Sequence, residues 1–325
     1  MALSMKMADY FYHIPENPVP EHGLSGHFAS RDGKRLRYGV FPATTQPAKG
    51  TVVLLPGRNE CIEKYFETVR ELAARGFTTA TFDWRGQGGS DRLIGDPARG
   101  YVRSFFDYVL DLESFLAEIV LPDCRGPYYL LAHSTGATVA LLGAQSLVNQ
   151  VQRMVLIAPF LALCKSPLAM HTIGRLATTL YYTGFSRLYV ADRKRPRETV
   201  PFAANKLTTD PVRYRRNALL YENHPNLALG GPTVAWIKAA CVASATIQDP
   251  DFMAKIRIPS LIIAAGADEV VSNEAIEHFA RRLRLGSLLT IDGARHEILQ
   301  EADFFREQFF AAFDAFIPGS DSPAT

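Results

Sequence analysis

The chain has 325 residues, 47% of them hydrophobic and 21% charged, with a formal net charge of +2. That balance excludes a disordered or low-complexity polymer and offers no basic surplus for a nucleic-acid partner. It leaves room for one large α/β domain with an insertion.

The opening stretch, "MALSMKMADYFYHIPENP", has no charged segment leading into an apolar run of the kind that directs export. No window approaches the ~18 apolar residues of a membrane span, so a cytoplasmic protein without a transmembrane segment is expected. Cys61, Cys124, Cys164 and Cys241 form no C-x-x-C, which predicts free thiols. In "SGHFASRDGKRLRYGVF", Asp32-Gly33 between two strand-like runs predicts an antiparallel hairpin. From Thr51 onward strand-like and helix-like segments alternate: "TVVLLP", a helix over Cys61 to Arg75, "FTTATF", a helix over Phe105 to Val120, "YYLLA", a helix over Gly136 to Val148, then "MVLIAP". In the first of these helices Ile62, Tyr65, Phe66, Val69, Leu72 and Ala73 recur at i, i+3, i+4 spacing, and Gly76 supplies the stop. Such alternation implies a mostly parallel sheet with helices on both faces.

After Pro159 the alternation lapses into helix-like pieces broken at Gly184, Pro196, Pro201, Pro211, Pro225 and the "GGP" at 230 to 232. It resumes with "PSLIIAAG", a helix over Asn273 to Arg284, "SLLTID" and a last helix over Ala302 to Phe316. The predicted architecture is an α/β fold with a mostly parallel central sheet and an inserted helical cap. Residues 1–160 and 252–325 form the core, residues 161–251 the cap, and the tail is disordered from about residue 317.

The stretch "LLAHSTGATVALL" sets Ser134 between a buried strand and a helix, the arrangement of a nucleophile elbow. Crowding at such a turn demands small neighbours: Gly136 meets the demand, and Ala132 stands where G-x-S-x-G has its first glycine. A serine at a helix start also reads as an ordinary N-cap. Asp268 follows one later strand and His296 the next, both at C-terminal strand ends, where a parallel sheet presents its ligand crevice. Each alone reads as a turn or surface residue; together they complete the order serine, acid, histidine. A serine hydroxyl is a weak nucleophile until a base takes its proton, the task of His296, with Asp268 holding the imidazole in the right tautomer. Asp292 is the substitute acid. The expected oxyanion donors are the backbone N–H groups of Arg58 and Thr135, with Gly57 letting the chain approach substrate and a helix starting near Asn59 adding its dipole. This chemistry calls for no metal and no cofactor.

"PGRNECIEKY", "FDWRGQGGS", "AHSTGA", "GADEVVS" and "GARHEILQE", spread over residues 52 to 301, resemble the signature blocks of α/β-hydrolases of the lysophospholipase and monoacylglycerol lipase type. The resemblance implies a serine esterase or lipase that forms an acyl-enzyme on Ser134, with a small-molecule or single-chain lipid ester as substrate. It also implies that the Asp83 to Ser90 block is structural, so Asp83 and Arg85 are not placed among the catalytic groups. Monoacylglycerol lipases of this type carry His-Gly at the oxyanion loop. Here Pro56-Gly57-Arg58 is closer to the bacterial lysophospholipase version, which moves the expected substrate toward lysophospholipid. A monoacylglycerol lipase, a general carboxylesterase and an acyl transferase remain the alternatives within the enzyme class. A hydrolase-like binding protein is the alternative outside it, and the intact triad speaks against that.

Caps in this fold supply the acyl pocket, which points to the stripe Leu176, Leu180, Tyr181, Phe185, Leu188 and Tyr189, with Tyr181 and Phe185 as substrate-binding residues; the competing reading is simple packing onto the core. Between Leu161 and Asp251 there are 12 Lys/Arg against 6 Asp/Glu. The basic residues, among them "RKRPR" at 193 to 197 and Arg213, Arg215 and Arg216, suit a phosphate headgroup or a transient contact with an anionic membrane surface.

Overall fold

A computed structural model describes residues 9–164, 167–190 and 200–320. The predicted hairpin forms: β1 (Leu24–Ala29) pairs antiparallel with β2 (Arg35–Phe41), and Gly33 takes a positive φ of 80° at the turn. The remaining strands are β3 (Gly50–Leu55), β4 (Phe77–Phe82), β5 (Tyr128–His133), β6 (Val151–Ile157), β7 (Ser260–Ala265) and β8 (Gly286–Ile291). They form one sheet in the order β1-β2-β4-β3-β5-β6-β7-β8, parallel from β4 to β8. β3 and β7 are buried along their whole length, as strands covered on both faces must be.

Helices α1 (Phe66–Ala74), α2 (Phe105–Phe115), α3 (Leu121–Asp123) and α4 (Thr135–Leu147) belong to the first half of the core. Two expectations need correction. The helix read from Cys61 begins as a 3-10 turn at Ile62–Tyr65 before α1, and Asn59 sits at φ 62°, so no helix dipole starts there. Asparagine tolerates that left-handed conformation better than most residues, and here its Oδ1 accepts the Leu229 amide from across the molecule. The helix read over Phe105 to Val120 ends as α2 and continues as a wider π turn at Leu116–Val120.

Between β6 and β7 the chain forms α5 (Pro167–Leu180), a π turn at Tyr181–Phe185, α6 (Pro211–Asn223), α7 (Val234–Gln248) and α8 (Pro250–Met253). Pro211, which reads in sequence as a breaker, instead opens α6: Asp210 caps the helix by accepting the Val212 and Arg213 amides at 2.8 Å each. The "RKRPR" segment lies outside the described residues. The chain closes with α9 (Asn273–Arg282) and α10 (Asp303–Phe316). Order continues past α10: Ile317 is buried, and its amide bonds the Phe313 carbonyl at 2.8 Å, because an apolar residue there caps the core. No helix among the described residues is long and apolar enough to cross a membrane.

Candidate active site

The site begins at the end of β5. Ala132 lies in register between Leu55 of β3 and Leu156 of β6 and is fully buried. One residue beyond His133, Ser134 takes φ 51° and ψ −113°, a strained turn that throws its side chain out of the sheet's end before α4 begins. Its hydroxyl makes no capping bond, so the N-cap reading does not describe it. A Cβ on Gly136 would come within 2.5 Å of the Leu55 carbonyl oxygen and 2.6 Å of the Pro56 oxygen, which explains the glycine on the helix side. Alanine suffices at 132 because its methyl points into ordinary sheet packing.

The structure brings the three separated residues together. His296 Nε2 lies 3.0 Å from Ser134 Oγ, and His296 Nδ1 lies 2.7 Å from Asp268 Oδ2. The other oxygen, Asp268 Oδ1, accepts the Val270 and Val271 amides at 2.7 and 2.9 Å. Burial pushes the Asp268 pKa up, but His296 and those two amides outweigh it, so the carboxyl lies below its ordinary value and is ionised at neutral pH. Ser134 is 7% exposed and His296 4%. Asp292 is exposed and lies outside this chain of bonds. Thr135 is the first residue of α4, so its N–H has no acceptor within the helix and heads the helix dipole.

The loop after β3 is held from behind. Trp84 Nε1 donates to the Pro56 carbonyl at 2.8 Å. Asp83 accepts the Ile62 amide at 3.0 Å, the Gly89 amide at 2.7 Å and the Arg37 guanidinium at 2.7 Å. Arg85 pairs with Asp111 and Asp32. These bonds give the Asp83 to Ser90 block a scaffold role. Gly57 meets a packing need at this loop. Its amide donates to Glu60, and a Cβ there would meet Glu60 at 2.8 Å and His133 Nδ1 at 3.0 Å, so the missing side chain makes room for buried polar groups. Glu60, Lys64, Tyr65, His133 and Glu297 form a polar cluster beside the triad that the sequence reading missed. Its one visible trace was a histidine directly before the serine.

Ser134 and His296 open on a cavity of about 100 Å³ walled by Phe160, Leu163, Leu207, Trp236, Ile237 and Val270. A larger vestibule of about 600 Å³ shares several of these walls and adds Leu229, Lys206 and Glu269. Tyr181 and Phe185 line neither space. Tyr181 faces Lys238, whose ammonium sits 4.5 Å from the ring centroid, and Phe185 is 49% exposed, because the π turn after α5 carries them to the outer side. Arg213 and Arg216 are also engaged elsewhere: both reach Glu67 of α1 at 2.6 Å, while Arg215 pairs with Glu222.

Three comparisons place this arrangement. Residues 46–303 match the family described as "Serine aminopeptidase, S33". Lysophospholipase L2 of Escherichia coli (strain K12) is 33% identical over 91% of this chain and 88% of its own length. A probable lysophospholipase L2 of Haemophilus influenzae is 28% identical over 92% and 94% respectively. A crystal structure of a soluble variant of monoglyceride lipase from Saccharomyces cerevisiae, in complex with a substrate analog, superposes with a TM-score of 0.72 at 21% identity, covering 98% of this chain and 100% of that one, a likeness of fold. The chain belongs to the family described as Serine aminopeptidase, S33, as an α/β-hydrolase of the lysophospholipase and monoacylglycerol lipase type.

Proposed function

We propose that the protein is a serine hydrolase that cleaves the acyl ester of a single-chain lipid, lysophospholipid first among them, through an acyl-enzyme on Ser134. The observation that carries this reading is the continuous bond chain from Asp268 through His296 to Ser134 at the mouth of an apolar cavity. Ser134 Oγ attacks the ester carbonyl as His296 Nε2 takes its proton. The tetrahedral oxyanion points to the Arg58 and Thr135 amides, each worth ~3–4 kcal/mol of barrier. Collapse expels the alcohol, which receives the proton from His296. Water, activated by the same imidazole, then releases the fatty acid.

The segment 161–251 acts as a cap. The first part of the acyl chain packs against Phe160, Trp236 and Ile237, and the rest extends along Leu207 and Leu229 into the vestibule. The lysophospholipid assignment draws on the relatives that bear that name and on Pro56-Gly57-Arg58. On its outer side the cap exposes Leu176, Tyr182, Phe185 and Leu188, with the Lys238 ammonium 5.6 Å from the Tyr182 ring centroid, a mixture of apolar and basic groups suited to transient contact with an anionic bilayer surface. The four free cysteines fit a reducing compartment such as the cytoplasm.

A panel of p-nitrophenyl esters, monoacylglycerols and lysophospholipids of graded chain length tests the reading. Each methylene that enters the pocket adds ~0.8 kcal/mol, so kcat/KM rises about fourfold per carbon until the space fills. A flat chain-length profile removes the lipid assignment, and preference for monoacylglycerol over lysophospholipid removes the headgroup.

A further inference from the structure

His133, directly before the nucleophile, is a buried histidine with both ring nitrogens engaged. Nδ1 lies 3.0 and 3.2 Å from the two Glu60 oxygens, and Nε2 lies 3.1 Å from the backbone carbonyl oxygen of His296. A carbonyl oxygen only accepts. Glu60 is already the target of three other donors: the Gly57 amide, the Tyr65 hydroxyl and Lys64 Nζ. A carboxylate so surrounded is ionised and likewise only accepts. Both His133 nitrogens must therefore carry protons.

We propose that His133 is a standing imidazolium and a positioning residue, one that ties the backbone of the catalytic His296 to the oxyanion-side turn Gly57–Glu60. The proposal rests on the catalytic reading of Ser134, Asp268 and His296. At one end of the tie, the His296 carbonyl is held, which fixes the direction its imidazole takes toward Ser134. At the other, Glu60 holds the Gly57 amide and so fixes the Pro56–Gly57 peptide, the one that precedes the peptide carrying the Arg58 N–H.

The charges that face His133 close into a neutral group: Glu60 and Glu297 against His133 and Lys64, with Lys64 Nζ 2.6 Å from Glu297 Oε1. The Tyr65 hydroxyl and the His296 ring, its centroid 4.9 Å away, complete the surroundings. Burial pushes the His133 pKa down, but Glu60 and, farther off, Glu297 more than offset it, and the pKa lies above the ordinary histidine value. Glu60 in turn is held well below the carboxylate range, burial being outweighed by His133 and Lys64.

Imidazole NMR of the wild-type protein tests the protonation directly: His133 should show two protonated nitrogens at neutral pH, while an unprotonated nitrogen there overturns the proposal. Glu60→Gln keeps the shape and offers an amide N–H to Nδ1, so His133 should turn neutral, with kcat falling about 10- to 100-fold and KM little changed. In His133→Gln, whose side chain cannot bridge Glu60 and the His296 carbonyl as the imidazolium does, kcat should likewise fall with KM little changed. Unchanged kcat in both Glu60→Gln and His133→Gln overturns the positioning role. Covalent labelling of Ser134 by a fluorophosphonate, measured on the same proteins, separates this outcome from failure of the catalytic reading, which would leave even the wild type unlabelled.

Discussion

The C-terminal edge of the sheet and the segment between β6 and β7 solve opposite problems. At the edge, polar and charged groups are buried and each is answered: Asp268 by His296 and two amides, Glu60 by four donors, Asp83 by Arg37 and two amides. In the inserted segment, large apolar side chains face outward, with Leu176 61% and Tyr182 76% exposed. Burying one such side chain is worth about 1.5–3 kcal/mol, so leaving several exposed forgoes stability that the core does not forgo. The edge holds its polar atoms in fixed positions, and the outer side of the inserted segment leaves apolar side chains open to solvent. Apolar packing joins the two through α7, whose Trp236 meets Phe105 and Phe160, and ionic contacts add to it: Arg213 and Arg216 of α6 on Glu67 of α1, and Arg213 on Asp303 of α10.

The sharpest way to break the contrast is at the nucleophile. Ser134→Ala should abolish fluorophosphonate labelling and lower kcat by about 10⁶ with the melting temperature unchanged, since the edge keeps its other bonds. Hydrolysis near the wild-type rate would move the chemistry away from this edge. Asp268→Asn comes next: loss of the correct imidazole tautomer should cut kcat about 10⁴-fold, whereas Asp292→Asn, on an exposed carboxylate, should leave it within about twofold.

The cap face should respond in a different assay altogether. Replacing Leu176, Tyr182 and Phe185 together by glutamate is expected to weaken partitioning onto anionic vesicles about tenfold or more while sparing turnover of a soluble p-nitrophenyl ester. Equal partitioning of the two proteins would remove the membrane role from this face.

The smallest expected effect concerns the seam between the two regions. Burial pushes the Glu67 pKa up, but Arg213, Arg306 and Arg216 bring it down to about 2 from 4.5. A depressed carboxylate stabilises the fold above its unfolded value and loses that contribution as the pH falls from about 4.5 through about 2. Glu67→Gln should therefore cost about 1–3 kcal/mol at pH 7, and less at pH 3, by urea denaturation. Reversal of Arg213 and Arg216 to glutamate should act in the same direction by setting carboxylates against Glu67, whereas Arg215→Glu, on an exposed pair, should change stability little.

Much of this protein is written in local sequence. Strands such as "TVVLLP" and "PSLIIAAG" announce themselves because a strand covered on both faces needs an apolar run, and Asp32-Gly33 because a tight turn needs its φ. The triad was legible because its members follow the C-terminal ends of β5, β7 and β8 on one edge of the sheet, so order along the chain stands in for proximity. Local spacing failed where long-range contacts decide. Nothing near Tyr181 or Phe185 says which way a π turn will point them, nothing near Pro211 outweighs its look of a breaker except the Asp210 cap, and nothing near Arg213 announces Glu67 from across the molecule. Gly57 shows the limit most clearly: sequence says that a side chain must be absent there, but only the packed structure shows that the space belongs to Glu60 and His133, two groups separated by 73 residues whose charges need each other once water is excluded.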